Sequence, residues 1–139
     1  MLPKRLEQAI QTLAALPVPL KTEALLEYAR RLPPVPEEKR GRLEQVHECQ
    51  TPFFIRAELE EGRVRLYFEV PKEAPTVRAF AGLLFEGLDG ETPEAILAVP
   101  PGFYRGAGLE AILTPLRLRG LEAALLRLQN QVRTLTPPP

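Results

Sequence analysis

One cysteine, Cys49, and one histidine, His47, are the only thiol and imidazole in this 139-residue chain. A structural zinc or an iron–sulfur site wants three or four such ligands, so no resident metal is expected. A lone thiol also excludes an internal disulfide framework and a dithiol oxidoreductase, and it fits a reducing cytosol. Net charge is equally scarce: 18 basic residues balance 18 acidic ones, which leaves no electrostatic footprint for nucleic acid or an anionic membrane. No apolar run approaches the roughly 20 residues of a membrane helix, and Met1 to Arg5 lack the apolar stretch of a signal peptide. A cytoplasmic protein with no membrane or nucleic-acid partner is the expectation. Glycine-rich strand-to-helix turns are missing too. Gly102, Gly106 and Gly108 lie in a loop around Phe103, Tyr104 and Arg105 with no strand before them, which argues against a phosphate cradle.

Helical periodicity and punctuation are abundant. Leu6, Ile10, Leu13 and Leu16 predict a first helix ended by Pro17 and Pro19. Leu25, Tyr28, Ala29 and Leu32 mark the apolar face of a second, stopped by Pro33, Pro34 and Pro36. Lys21, Glu23, Glu27, Arg30 and Arg31 read as its wet side, and residues 37–42 as a solvated connection. Alternation then changes to period two. Phe53, Ile55, Ala57 and Leu59 face Val70, Phe68, Leu66 and Val64 about a Glu61-Gly62 turn, giving a hairpin of fixed register. A third helix over 74–88 buries Val77, Phe80, Ala81, Leu84 and Leu88. Thr92-Pro93 opens a short helix, and 99–108 reads as a loop with at most one helical turn. A last helix carries a stripe from Leu118 to Leu135. The order predicts one α+β domain over 1–136: two N-terminal helices, a small antiparallel hairpin-based sheet, and C-terminal helices packed on one sheet face. Residues 137–139 read as a disordered proline tail.

Cys49 lies in the polar run Val46-His47-Glu48-Cys49-Gln50-Thr51-Pro52, between the proline-terminated helices and the hairpin. A cysteine is often only a small buried hydrophobe, but this setting suits a reactive thiol. His47 is two residues away along the chain, too far for a direct general base, and no third residue orients it. A lone thiol performing exchange or carrier chemistry is what remains.

Three segments in order then resemble the SufE family of sulfur acceptors. Tyr28 to Pro33 matches the end of the family's second helix. Val46, Cys49, Gln50 and Thr51 resemble its Val-x-Gly-Cys-Gln-Ser. Leu113, Thr114, Pro115, Arg117, Gly120 and Leu121 resemble its Leu-Thr-Pro-Ser-Arg-x-x-Gly-Leu, and Thr92, Pro93 and Ile96 match Thr-Pro-x-x-Ile. Glu48, Thr51, Phe54 and Leu116 stand where the family has glycine, serine, tryptophan and serine, and Glu73 where it has aspartate. The resemblance implies a SufE/NifU-like fold and a cysteine loop lodged near an apolar pocket. It implies that Cys49 takes persulfide sulfur from a pyridoxal-phosphate-dependent cysteine desulfurase (SufS-like), stimulating it, and delivers the sulfur to an iron–sulfur scaffold complex (SufBCD-like). Such a chain is a sulfurtransferase-like accessory protein rather than a stand-alone enzyme. It needs no cofactor beyond the transient persulfide on Cys49. Arg117, His47, Gln50, Thr51 and Glu73 are then supporting or partner-binding residues. The alternative is an interaction module that regulates a desulfurase or scaffold by binding alone, with Cys49 inert.

Overall fold

Proline sets the first boundaries in the computed structural model, which describes residues 2–135. Helix α1 spans Lys4–Ala15 and α2 spans Val18–Arg31. Pro17 separates them. Pro19, expected to help end α1, instead lies in the first turn of α2, where its missing N–H is one that no helix uses.

Lys21 also departs from expectation. Placed by periodicity on the wet side of α2, it is only 5% exposed. Its Nζ donates to the carbonyls of Leu13 at 2.5 Å, and of Ala14 and Ala107 at 3.3 Å. A cation at the C-terminus of α1 meets last-turn carbonyls that have no partner one turn further on, Leu13 accepting only the capping Leu16 N–H besides, and the negative end of the helix dipole. Lys21→Met, which keeps the aliphatic stem but removes the donor, should lower the unfolding free energy by about 2 kcal/mol. Urea titration would show the midpoint falling at constant slope; an unchanged midpoint would mean that water replaces the ammonium without loss.

After α2 the chain crosses to the far side of the sheet. Residues 37–42, read as a solvated connection, form a 3₁₀ turn. Its Lys39 pairs with Glu58 and lies 5.1 Å from the centre of the Tyr67 ring. Strands β2 (Phe54–Glu60) and β3 (Arg63–Glu69) pair antiparallel in the expected register, Leu59 to Val64, Ala57 to Leu66 and Ile55 to Phe68. The Phe53–Val70 pair lies just beyond the ladder, although both residues are buried. Leu59 shares the inward phase yet is 42% exposed at the hairpin end. Both turn residues take positive φ, Glu61 at 53° and Gly62 at 78°, as a primed two-residue turn requires.

A two-residue strand β1, Glu44–Gln45, joins the free side of β2 and was not evident in the sequence. Beyond it the amide of Gln131 continues the ladder. Its Oε1 accepts from the Ala57 N–H at 2.7 Å and its Nε2 donates to the Ile55 carbonyl at 3.0 Å. On the β3 side, Asp89 accepts from the Leu66 N–H at 2.9 Å, and the Glu91 carbonyl accepts from the Val64 N–H at 2.9 Å. Both edges of the sheet are thereby partly covered, which limits strand-to-strand aggregation.

Helix α3 (Pro75–Leu88) and α5 (Pro115–Leu135) meet the inner face of the sheet, and α1 and α2 pack against α3. The short α4, Pro93–Leu97, is capped as expected by Thr92, whose Oγ1 accepts from the Ala95 N–H at 3.3 Å. Residues 103–107 form one short 3₁₀ segment within the 99–108 loop, and a second follows just beyond it at 109–111. The architecture is the α+β arrangement read from the sequence; the proline tail 137–139 lies outside the described residues.

Candidate functional site

The cysteine loop is a chain excursion whose two feet are fixed. Val46 and Phe53 are both fully buried, and the Val46 N–H donates to the Phe53 carbonyl at 2.7 Å. Within it, the Cys49 N–H donates to the Val46 carbonyl at 3.2 Å, forming a tight turn. That turn sets the sulfur against the core, where Cys49 is half-buried.

The wall facing the sulfur comes from two helices. Val77 and Phe80 of α3, and Leu116, Arg117 and Gly120 of α5, border a cavity of about 70 Å³ shared with Glu48, Cys49, Gln50 and Thr51. A Cβ at Gly120 would stand 3.8 Å from the Cys49 sulfur, so a side chain beyond it would fill space now open beside the thiol. One water occupies about 10–15 Å³ by the same measure, so an additional sulfur atom fits beside Cys49. Roomier clefts lie elsewhere. One of them, about 620 Å³ along Pro33, Pro34 and Phe68, contains no thiol. Chemistry, not size, selects the site.

Helix α5 begins with the device already seen at α4. Thr114 Oγ1 accepts from the Arg117 N–H at 3.3 Å, and Pro115 occupies the first helical position. This start brings Arg117 to the mouth of the pocket, exposed, and among the described residues its guanidinium makes no ion pair. A cation in a first turn gains nothing from the helix dipole, but there it can meet an incoming anion.

The structure brings Cys49, Gln50, Thr51 and Arg117 to one pocket and leaves two other expected residues outside its lining. His47 is exposed in the turn, and its electrostatic pull falls on Glu44 and Glu48. Glu73 is exposed in the β3–α3 connection. Among the described residues no three His, Cys, Asp or Glu side chains gather as metal ligands would, and no helix is long and apolar enough to cross a membrane.

Arg127 escaped the sequence reading. From α5 its Nη2 donates to both Glu48 carboxylate oxygens, at 2.9 and 3.1 Å, and its Nη1 to Glu44 at 2.7 Å. The remaining donor, Nε, is buried without an acceptor. Leu116, Gly120, Ala123 and Arg127 recur at steps of four, three and four, one helical face with small residues in its middle, and that spacing was the available signal. Glu48, beside the sulfur in sequence, therefore points its charge at an arginine.

Its own backbone N–H and then Arg127 hold the Glu48 carboxyl below the usual carboxylate range. Burial pushes Glu44 the other way, but hydrogen bonds from Arg127 and Gln131 outweigh it and leave Glu44 lowered as well. Folded values below unfolded ones mean that the clasp stabilises above the ordinary carboxylate pKa, about 4.3 for Glu. The contribution is lost as pH falls through the lowered values. Arg127→Met should therefore have a lower urea midpoint than wild type at neutral pH, with the two converging in acid. A gap that persists in strong acid would assign the effect to packing of the arginine stem instead.

Comparisons with known proteins agree with this geometry. The family model described as "SufE: Fe-S metabolism associated domain" matches residues 7–132. An uncharacterized SufE-like protein of Mycobacterium tuberculosis is 42% identical over 134 residues, covering 95% of this chain and 94% of that one. The cysteine desulfuration protein SufE of Plasmodium vivax is 27% identical over 136 residues, 95% of this chain and 52% of its own length. The solution structure of a hypothetical protein from Thermus thermophilus superposes with a TM-score of 0.90 at 64% identity, covering 97% of this chain and 98% of that one. With the match spanning nearly the whole fold, cysteine loop included, this chain belongs to the SufE family.

Proposed function

We propose that the protein accepts sulfur from a cysteine desulfurase on Cys49 and relays it for iron–sulfur cluster assembly. The observation that carries this reading is the placement of the only thiol: on a loop with anchored feet, against a cavity with room for one further sulfur. The desulfurase presents a persulfide on its own cysteine. The Cys49 thiolate attacks the outer sulfur, the S–S bond to the desulfurase breaks, and the electron pair leaves with the desulfurase thiolate. One sulfur atom changes owner with no external oxidant or reductant, so one cysteine suffices.

Val77 and Phe80 then line the persulfide pocket with apolar surface and limit the approach of soluble reductants. Arg117 at the pocket mouth can pair with the anionic persulfide or with a partner carboxylate. The name of the Plasmodium relative, a cysteine desulfuration protein, supports a desulfurase as the donor; an assembly scaffold of the SufBCD kind is the proposed recipient. The test is intact-mass analysis after incubation with a pyridoxal-phosphate cysteine desulfurase and L-cysteine. A gain of one sulfur, removed by dithiothreitol and located on the Cys49 peptide, is expected. No gain at full desulfurase turnover would overturn the proposal.

A further inference from the structure

The tip of the cysteine loop is tied to the helices through one side chain. Residues 46 and 53 are fixed by burial and by their mutual hydrogen bond. Among the described residues, no hydrogen bond or ion pair joins residues 47–52 to α3 or α5 except Glu48 with Arg127. The contacts of the sulfur with its pocket walls are van der Waals contacts, which separate without leaving a charge behind. Arg127 is meanwhile held by a second carboxylate, Glu44, which belongs to β1 and is paired into the sheet. The guanidinium thus has a fixed grip on the foot of the loop and a releasable grip on its tip.

We propose that Arg127 is the positioning residue of a latch: by holding Glu48 it keeps the Cys49 turn closed over its pocket, and releasing Glu48 lets the thiol swing outward. Only the reason for opening, delivery of the sulfur to and from partner proteins, rests on the relay function proposed above. The latch is a property of the isolated chain. Glu44 keeps Arg127 in place through the opening, so the tip can close again without the arginine having to be repositioned. The pair is partly exposed, with side chains 21% and 54% accessible, so a docking surface can reach it and compete for either charge.

The test is timed iodoacetamide labelling of the isolated protein at one pH, with each native rate divided by the same variant's rate in urea. Glu48→Gln and Arg127→Met should each raise that ratio about threefold, the scale of one partly exposed ion pair. The double variant should label no faster than either single one, because both substitutions open the same latch. Charge alone gives the opposite pattern. Removing the Glu48 anion would favour thiolate attack and speed labelling, whereas removing the Arg127 cation would slow it. Rates moving in opposite directions, additive accelerations, or no change in either variant would each overturn the latch. Thermal unfolding of the same variants separates a local opening from loss of the fold: each should keep a cooperative transition well above the labelling temperature, lowered only by the modest contribution of the clasp, and a variant already unfolded at that temperature would count against the latch. Persulfide uptake on these variants is read independently: uptake intact with unchanged labelling removes the latch and leaves the relay. Accelerated labelling with no uptake in any variant does the reverse.

Discussion

Cys49→Ser is expected to abolish sulfur uptake to background while leaving the fold in place. The thiolate is the nucleophile in persulfide exchange, and the chain has no other sulfur that could accept it apart from a methionine thioether, which cannot form a persulfide. Serine is slightly smaller than cysteine, and the site is half-buried beside a cavity, so stability should change by no more than about 1 kcal/mol. Circular dichroism and a urea titration check that part. Intact mass after reaction with desulfurase and L-cysteine checks the chemistry, and a serine variant that still gained sulfur would end the relay mechanism. Desulfurase turnover in the same mixture discriminates the alternative. If the variant gains no sulfur yet stimulates the desulfurase as fully as wild type, the protein regulates by binding and Cys49 is inert. A relay instead predicts that stimulation falls with uptake, because the desulfurase persulfide is no longer cleared.

What the sequence disclosed and what it hid follow from the range of the interactions. The β2–β3 register was legible because period-two alternation on both sides of a two-residue turn leaves only one pairing with both apolar sets inward. Helix α3 was legible because nearly every residue of its middle is apolar and Asp89-Gly90 ends it. Strand β1 was not, since two polar residues have no pattern and pair only because the buried Val46 foot brings them against β2. Lys21 was misplaced because a charge on a helix reads as solvated, and only the tertiary fold shows three carbonyls converging on it. The site divided the same way. Cys49 stood out as the only thiol, and Gln50, Thr51 and Arg117 lie in the two segments that resemble the SufE family, so these could be found. Arg127 acts across 79 residues of sequence on Glu48, and a lone arginine in a leucine-rich helix carries no local mark of that pairing.

The packing that supports the site makes the other large prediction: Gly82→Ala should destabilise the protein by about 4 kcal/mol or more. Gly82 sits in the middle of α3, where helix propensity alone favours alanine by about 1 kcal/mol. The crossing with α2 reverses that preference. A Cβ at position 82 would lie 2.1 Å from the Tyr28 carbonyl oxygen and 2.5 Å from its carbon. These are backbone atoms in the last turn of α2 and cannot rotate aside as a side chain would, so the two helices must separate and the contacts around their crossing must loosen together. Two other glycines calibrate the effect. At Gly87 the new Cβ meets mainly the Leu6 side chain, at 2.7 and 2.9 Å, which can partly yield, so Gly87→Ala should cost about 2 kcal/mol. At Gly41 nothing lies within 4 Å, and alanine there should change stability by less than about 0.5 kcal/mol. Urea titrations of the three variants should give that order, and a Gly82→Ala midpoint matching that of Gly41→Ala would refute the close-crossing argument. The crossing also reaches the site, because Val77 and Phe80, which wall the Cys49 pocket, are on the same helix as Gly82. Where enough folded Gly82→Ala survives at low temperature, its Cys49 should alkylate faster than that of wild type, since a displaced α3 withdraws one wall from around the sulfur.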